Sequence, residues 1–106
     1  MAEFVNTQTR DDGSCTVAVA GEVDIATVEE FLAAATSCLD SGATDVVVDL
    51  AEVSFIDSSG LGALVRIRNL ARERGANLTL ARVPESITRL LEVTGLAAAF
   101  ADGSEG

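Results

Sequence analysis

Hydrophobic residues fall along this chain in two rhythms. Cys15, Val17 and Val19 alternate with Thr16, Ala18 and Ala20, the period-two pattern of a half-buried strand. A weaker strand is expected from Phe4 to Gln8, and the turn-forming Asp11-Asp12-Gly13-Ser14 between the two predicts a hairpin. The rhythm then changes. Ile25, Val28, Phe31, Leu32, Ala35 and Leu39 recur at helical spacing, with Asp24 as the expected N-cap and Asp40-Ser41-Gly42 as the stop. Asp45-Val46-Val47-Val48-Asp49-Leu50 is a β-branched run that reads as a central strand buried on both faces. Phe55-Ile56 continues it after a short irregular stretch.

Asp57-Ser58-Ser59-Gly60 opens a second helix that runs to about Arg74 and stops at Gly75, and Ala76 to Ala81 forms another strand. Pro84 opens a third helix with Ile87, Leu90, Leu91 and Thr94 on one stripe, Gly95 at C′ and Leu96 as the hydrophobic residue after it. The tail from Ala101 to Gly106 has little to bury and is expected to fray. The expected order is β-β-α-β-α-β-α. That is an α/β fold: a mixed sheet of about four to five strands packed by three to four helices, with right-handed βαβ crossovers. Neither repeats nor linkers interrupt residues 1–106, so one domain is expected, its core spanning about residues 4–100.

Composition narrows the function. The chain carries 17 acidic residues against 7 basic ones, all Arg, for a net charge of −10. Neutralising nucleic-acid phosphates takes clustered cations, so neither a nucleic acid nor an anionic membrane surface is an expected partner. With no His and no Lys, the usual bases for a Ser or Cys nucleophile, the commonest zinc ligand, Schiff-base chemistry and the phosphate-loop lysine are all missing. An enzyme is therefore not expected, nor a metal or a cofactor. No apolar run approaches the ~18–20 residues needed to span a bilayer. Met1-Ala2-Glu3-Phe4 lacks the basic start of a signal peptide, and the expected location is cytoplasmic. In a reducing compartment Cys15 and Cys38 are expected as thiols. Cys15 starts a strand and Cys38 ends the helix that returns beside it, however. Two inert buried thiols and a redox-sensitive pair are both open readings.

The segment of chemical interest is the start of the second helix. Its unpaired N–H groups and positive dipole end would stabilise a phosphate on a serine there. At about 100° per residue, Gly60, Leu61, Leu64, Ile67 and Ala71 share the buried face, while Ser58, Gly62, Val65 and Asn69 lie opposite. Ser58 is thus expected in solvent and Ser59 as a structural cap, unless Ser58 is itself the N-cap. A glycine inside a helix costs about 1 kcal/mol relative to Ala. Gly62, an outward Val65 and the flanking Arg66 and Arg72 describe either a docking face or an ordinary solvated one.

Gly21-Glu22-Val23-Asp24, the Asp49-Leu50…Phe55-Ile56-Asp57-Ser58-Ser59-Gly60-Leu61-Gly62 block and the closing Val83-Pro84-Glu85-Ser86-Ile87…Thr94-Gly95-Leu96 resemble the anti-sigma factor antagonists, which are single STAS domains. The resemblance spans roughly residues 4–100. It implies a STAS-like fold and a partner-switching regulator. Unphosphorylated, such a protein binds an anti-sigma factor and frees the sigma factor. The anti-sigma factor is a serine kinase of the histidine-kinase-like ATPase class, whose phosphorylation of the antagonist releases it; a PP2C-type phosphatase restores binding. By the motif match the phosphorylated residue is Ser58, with Asp24, Asp57, Ser59 and Gly60 around it. Glu22, Gly62, Val65, Arg66, Asn69 and Arg72 form the implied partner surface. The chain is short after Leu96, so the family's last helix is expected to be truncated or absent. The rival reading is a STAS accessory subunit of a lipid or anion transporter or of a scaffold complex.

Overall fold

The computed structural model describes residues 5–104. Four strands, β1 (Val5–Asp11), β2 (Ser14–Val23), β3 (Asp45–Ile56) and β4 (Asn77–Ala81), form one mixed sheet in the order β1-β2-β3-β4. β1 pairs antiparallel with β2, and β2, β3 and β4 run parallel. The expected hairpin forms, with Asp12 and Gly13 both at positive φ (47° and 84°) between the paired Asp11 and Ser14. That left-handed pair suits the strand twist and accounts for the Asp-Gly sequence. Phe4, in the expected first strand, lies outside the described residues.

Four helices connect and cover the sheet: α1 (Val28–Asp40), α2 (Ser58–Glu73), α3 (Glu85–Thr94) and α4 (Ala97–Ser104). α1 packs on β2 and against α2; α2 packs on β3 and β4; α4 lies on β4 and against α3. The core between them contains Val17, Val23, Phe31, Val46, Val48, Leu50, Leu64 and Ile67.

Several sequence expectations change. β3 is covered unevenly: Val46, Val48 and Leu50 are buried on one face, whereas on the other Val47 and Ala51 are half-buried and Asp49 between them is buried. The strand is also continuous to Ile56 rather than interrupted. It absorbs the irregular stretch through two register shifts against β2, between Ala18 and Ala20 and between Gly21 and Glu22. In α3 only Ile87 and Leu91 are buried, while Leu90 and Thr94 are exposed, so the apolar stripe is narrower than its spacing suggested. The last helix is present. Gly95 turns left-handed (φ 80°), Leu96 N–H bonds back to Leu91 O at 2.8 Å, and α4 follows directly, burying Phe100. The expected frayed tail thus divides: residues 101–104 belong to α4, and residues 105–106 lie outside the described residues.

Among the residues whose burial is described, Asp49 is the one charged residue in the buried set, at 9% exposure. Its Oδ1 accepts Ala51 N–H at 3.0 Å across the irregular part of β3, and Arg82 Nε donates to both carboxylate oxygens at 3.2 Å. The Arg82 hydrogen bond holds the Asp49 carboxyl below the usual carboxylate range; burial opposes this and the Ala51 N–H assists it. A depressed folded-state pKa adds stability that is present above the unfolded value of about 3.9 and is lost as pH falls through the folded value. Asp49→Asn is therefore expected to unfold at lower denaturant than wild type at pH 7. The gap should close as urea melts are repeated at pH values descending below about 4.

Candidate functional site

Two parallel strands end side by side, and the candidate site is built on their carboxyl ends. Val23 closes β2 opposite Ile56, which closes β3. From Val23 the chain enters the Asp24–Thr27 loop toward α1; from Ile56 it turns through Asp57 into α2. Asp57 N–H donates to Val23 O at 3.2 Å, so the two crossings are tied together and Asp24 is brought beside the start of α2.

The first turn of α2 is anchored from below. Asp57, in extended backbone, is the N-cap, and its Oδ1 accepts Gly60 N–H at 3.1 Å. Its main-chain carbonyl accepts Leu61 N–H at 3.0 Å. The expectation of Ser59 as the cap is corrected: Ser59 is half-buried in the first turn, and the carboxylate two residues earlier makes the capping bond. Ser58 is the first helical residue and is exposed. The N–H groups of Ser58 and Ser59 have no carbonyl four residues back within the helix. An anion on the Ser58 hydroxyl would meet these donors and the positive end of the helix, with the Asp57 carboxylate its neighbour along the chain.

Gly60 explains how the helix sits so near the strands. A Cβ there would lie 2.5 Å from Ile56 Cγ1 and 2.9 Å from both Val23 Cγ1 and Val23 O. Gly62 is the opposite case: it is exposed, and an added Cβ would meet nothing within 4 Å. The fold itself does not require that glycine.

Comparison with known proteins fits this arrangement. Residues 6–100 match the family model described as "Mlab, STAS domain". The chain belongs to the STAS domain family. It is similar to the anti-sigma-B factor antagonist of Staphylococcus epidermidis, with 39% identity over 92 residues covering 87% of this chain and 84% of the relative. Among solved structures, an anti-sigma factor antagonist from Mycobacterium paratuberculosis superposes with a TM-score of 0.78 at 26% identity, covering 92% of this chain and 83% of that one. The anti-sigma factor antagonist SpoIIAA in its unphosphorylated form shares the fold, with a TM-score of 0.76 at 20% identity over 89% of this chain and 84% of its own.

Within this STAS domain the residues singled out from sequence separate into groups. Ser58, Gly62, Asn69 and Arg72 are exposed along α2, as the helical spacing required. Val65 is half-buried and packs against the core, so it offers an edge rather than a free apolar side chain; α1 packs along α2, and Arg68 Nε of α2 donates to Ala99 O of α4 at 2.9 Å. Arg66 is exposed and turns toward α1, lining a shallow groove with Glu29, Leu32, Ala33, Thr36 and Leu70. Glu22 is exposed on β2 opposite Phe55, beyond the register shift. Asp24 is corrected as a helix cap. Helix α1 begins at Val28, and its N-cap residue, Thr27, makes no side-chain capping bond. The Asp24 carboxylate instead shapes the loop, accepting Ala26 N–H at 3.0 Å, while Thr27 Oγ1 donates to Glu22 O at 2.9 Å.

Two residues of this end escaped the sequence reading. Helical spacing puts Ile25 on the α1 core stripe, but it lies in the loop before the helix and is 78% exposed. Phe55 is 51% exposed although it belongs to the central strand. The signal for Ile25 was the Thr27-x-x-Glu30 pattern, which marks a helix start two residues after it. For Phe55 the side chain's direction depends on the register shifts, which strand alternation cannot foresee. The cysteines depart from the thiol expectation: Cys15 and Cys38 are joined by a disulfide, their Cα atoms 5.7 Å apart. Among the described residues no cluster of three or more His, Cys, Asp or Glu could hold a metal ion, and no helix is long and apolar enough to cross a membrane.

Proposed function

We propose that this STAS domain is an anti-sigma factor antagonist of the cytoplasm, regulatory rather than catalytic, that docks through the exposed face of α2 and the Asp24–Thr27 loop. The partner is an anti-sigma factor of the histidine-kinase-like ATPase class, and docking frees the sigma factor. Transfer of phosphate to Ser58 ends the complex, and a PP2C-type phosphatase restores it. The observation that carries the reading is Ser58 itself: an exposed hydroxyl at the first position of a capped helix, on the same face as a glycine the fold does not need. The exposed Ile25 and Phe55 at this end supply apolar area for a protein partner. The 39% identity to an anti-sigma-B factor antagonist supports the same reading.

The direct test is incubation with a candidate anti-sigma kinase and ATP, followed by peptide mass spectrometry. Phosphate is expected on Ser58 and absent from Ser58→Ala. No transfer, together with co-purification with a membrane transporter, would instead support an accessory-subunit role. The glycine makes a second prediction. Gly62→Ala removes a helix-interior glycine from an open position and is expected to stabilise the isolated protein by up to about 1 kcal/mol. If a partner surface approaches the backbone there, the same change weakens docking by about tenfold in titration calorimetry, the equivalent of about 1.4 kcal/mol. Stabilisation with unchanged affinity would place Gly62 outside the interface.

A further inference from the structure

We infer that Cys15 and Cys38 form a reversible dithiol–disulfide switch that clamps α1 to the sheet. Cys15 is the first buried residue of β2, and Cys38 lies in the last turn of α1; both are fully buried. β2 and α1 run out and back. The bond therefore closes the β2–loop–α1 unit into a ring at the end opposite the Asp24–Thr27 loop. Helix α1 lines the groove against Arg66, so whatever frees its far end loosens one wall of the α2 face.

The inference rests on the cytoplasmic reading proposed above. In a reducing compartment a disulfide is characteristically transient or redox-sensing rather than a permanent staple. The chemistry is exchange with a low-molecular-weight disulfide. One cysteine thiolate attacks a sulfur of the reagent, whose S–S bond breaks to release one thiol and leave a mixed disulfide. The second cysteine thiolate then displaces the other reagent thiol and closes Cys15–Cys38. The two cysteines lose two electrons and two protons, and the reagent gains them as two thiols. A dithiol reverses the sequence. Burial makes opening of the structure the gate. Both sulfurs lie near an exposed turn: Cys38 sits three residues before the exposed Ser41-Gly42 end of α1, and Cys15 two residues after the exposed Gly13 of the hairpin.

The test uses the full chain without a partner, so its outcome is separable from the docking reading. Samples are equilibrated in oxidised glutathione or in dithiothreitol, alkylated with iodoacetamide for intact mass, and compared by hydrogen exchange. Two alkylated sulfurs are expected after dithiothreitol, none after oxidised glutathione, and full interconversion without denaturant. Amides of α1 should exchange about tenfold or more faster in the reduced protein, and those of α2 much less so. The double variant Cys15→Ala/Cys38→Ala should respond to neither reagent; the reduced wild-type protein serves as the reference should that variant fold poorly. The inference is overturned by thiols that remain fully alkylated after oxidised glutathione. It is equally overturned by α1 exchange that is the same in both states. A disulfide that resists dithiothreitol under native conditions also overturns it, and would point to a permanent staple and against the cytoplasmic reading.

Discussion

Ser58→Asp is expected to bind the anti-sigma partner about 100-fold more weakly than wild type, and Ser58→Ala to bind like wild type. The factor corresponds to a penalty of about 3 kcal/mol. A phosphate brings about −1.5 to −2 charges and added bulk to the first residue of α2. Asp57 is its chain neighbour, and Asp24 is held beside the helix start because Asp57 N–H bonds to Val23 O. In the free protein these repulsions are offset by the unpaired N–H groups and the positive end of the helix, and water screens what is left. In a complex the water is displaced, and the same charge must be desolvated against two carboxylates. The proposed switch thus needs no refolding. The melting temperature of Ser58→Asp should stay within a few degrees of wild type while affinity collapses. Equal affinities for Ser58→Ala and Ser58→Asp, or a large fall in melting temperature with the latter, would refute gating at the surface.

The second large effect is structural. Gly60→Ala places a methyl group 2.5 Å from Ile56 Cγ1 and 2.9 Å from the Val23 carbonyl oxygen. A side chain can shift; a backbone carbonyl at the end of a paired strand cannot do so cheaply. The expected net loss is about 2 kcal/mol, after the helix-propensity gain of Ala has been offset by overpacking. For a domain of this size that lowers the melting temperature by about 10 °C. Gly62→Ala, half a turn on, is the internal control and should shift it slightly upward. The pair separates a glycine demanded by close packing from one the fold tolerates losing.

These two glycines also show how far the sequence could be read. Their positions in a helix, and the inward direction of one against the outward direction of the other, followed from helical periodicity. That Gly60 is compelled and Gly62 is free did not, because the atoms that decide it belong to Val23 and Ile56 on two strands. The same limit applies to the cap. Asp57, Ser58 and Ser59 are all favoured cap residues, and only the extended backbone of Asp57 selects among them. Ile25 was misplaced because a helical stripe can be extended backward past the true start at no cost in pattern. Simple lengths of strand and helix put the two cysteines near each other, but a reducing compartment favours thiols, and the 5.7 Å Cα separation is not legible in the sequence.

What the sequence determined by itself was local: the alternation of β2, the Asp-Gly hairpin, three of the four helices and the solvent-facing Ser58. Each depends on residues within a few positions of one another, where backbone geometry repeats. Tertiary structure decided what depends on distant segments meeting. It brought the ends of β2 and β3 together so that the Asp24–Thr27 loop leaves beside the start of α2, exposed Ile25 and Phe55 at that end, and buried Asp49 under Arg82. It also closed α1 onto β2 through the two sulfurs. In each of those cases the deciding contact is set by strand register and by helix-on-sheet packing, which no local period encodes.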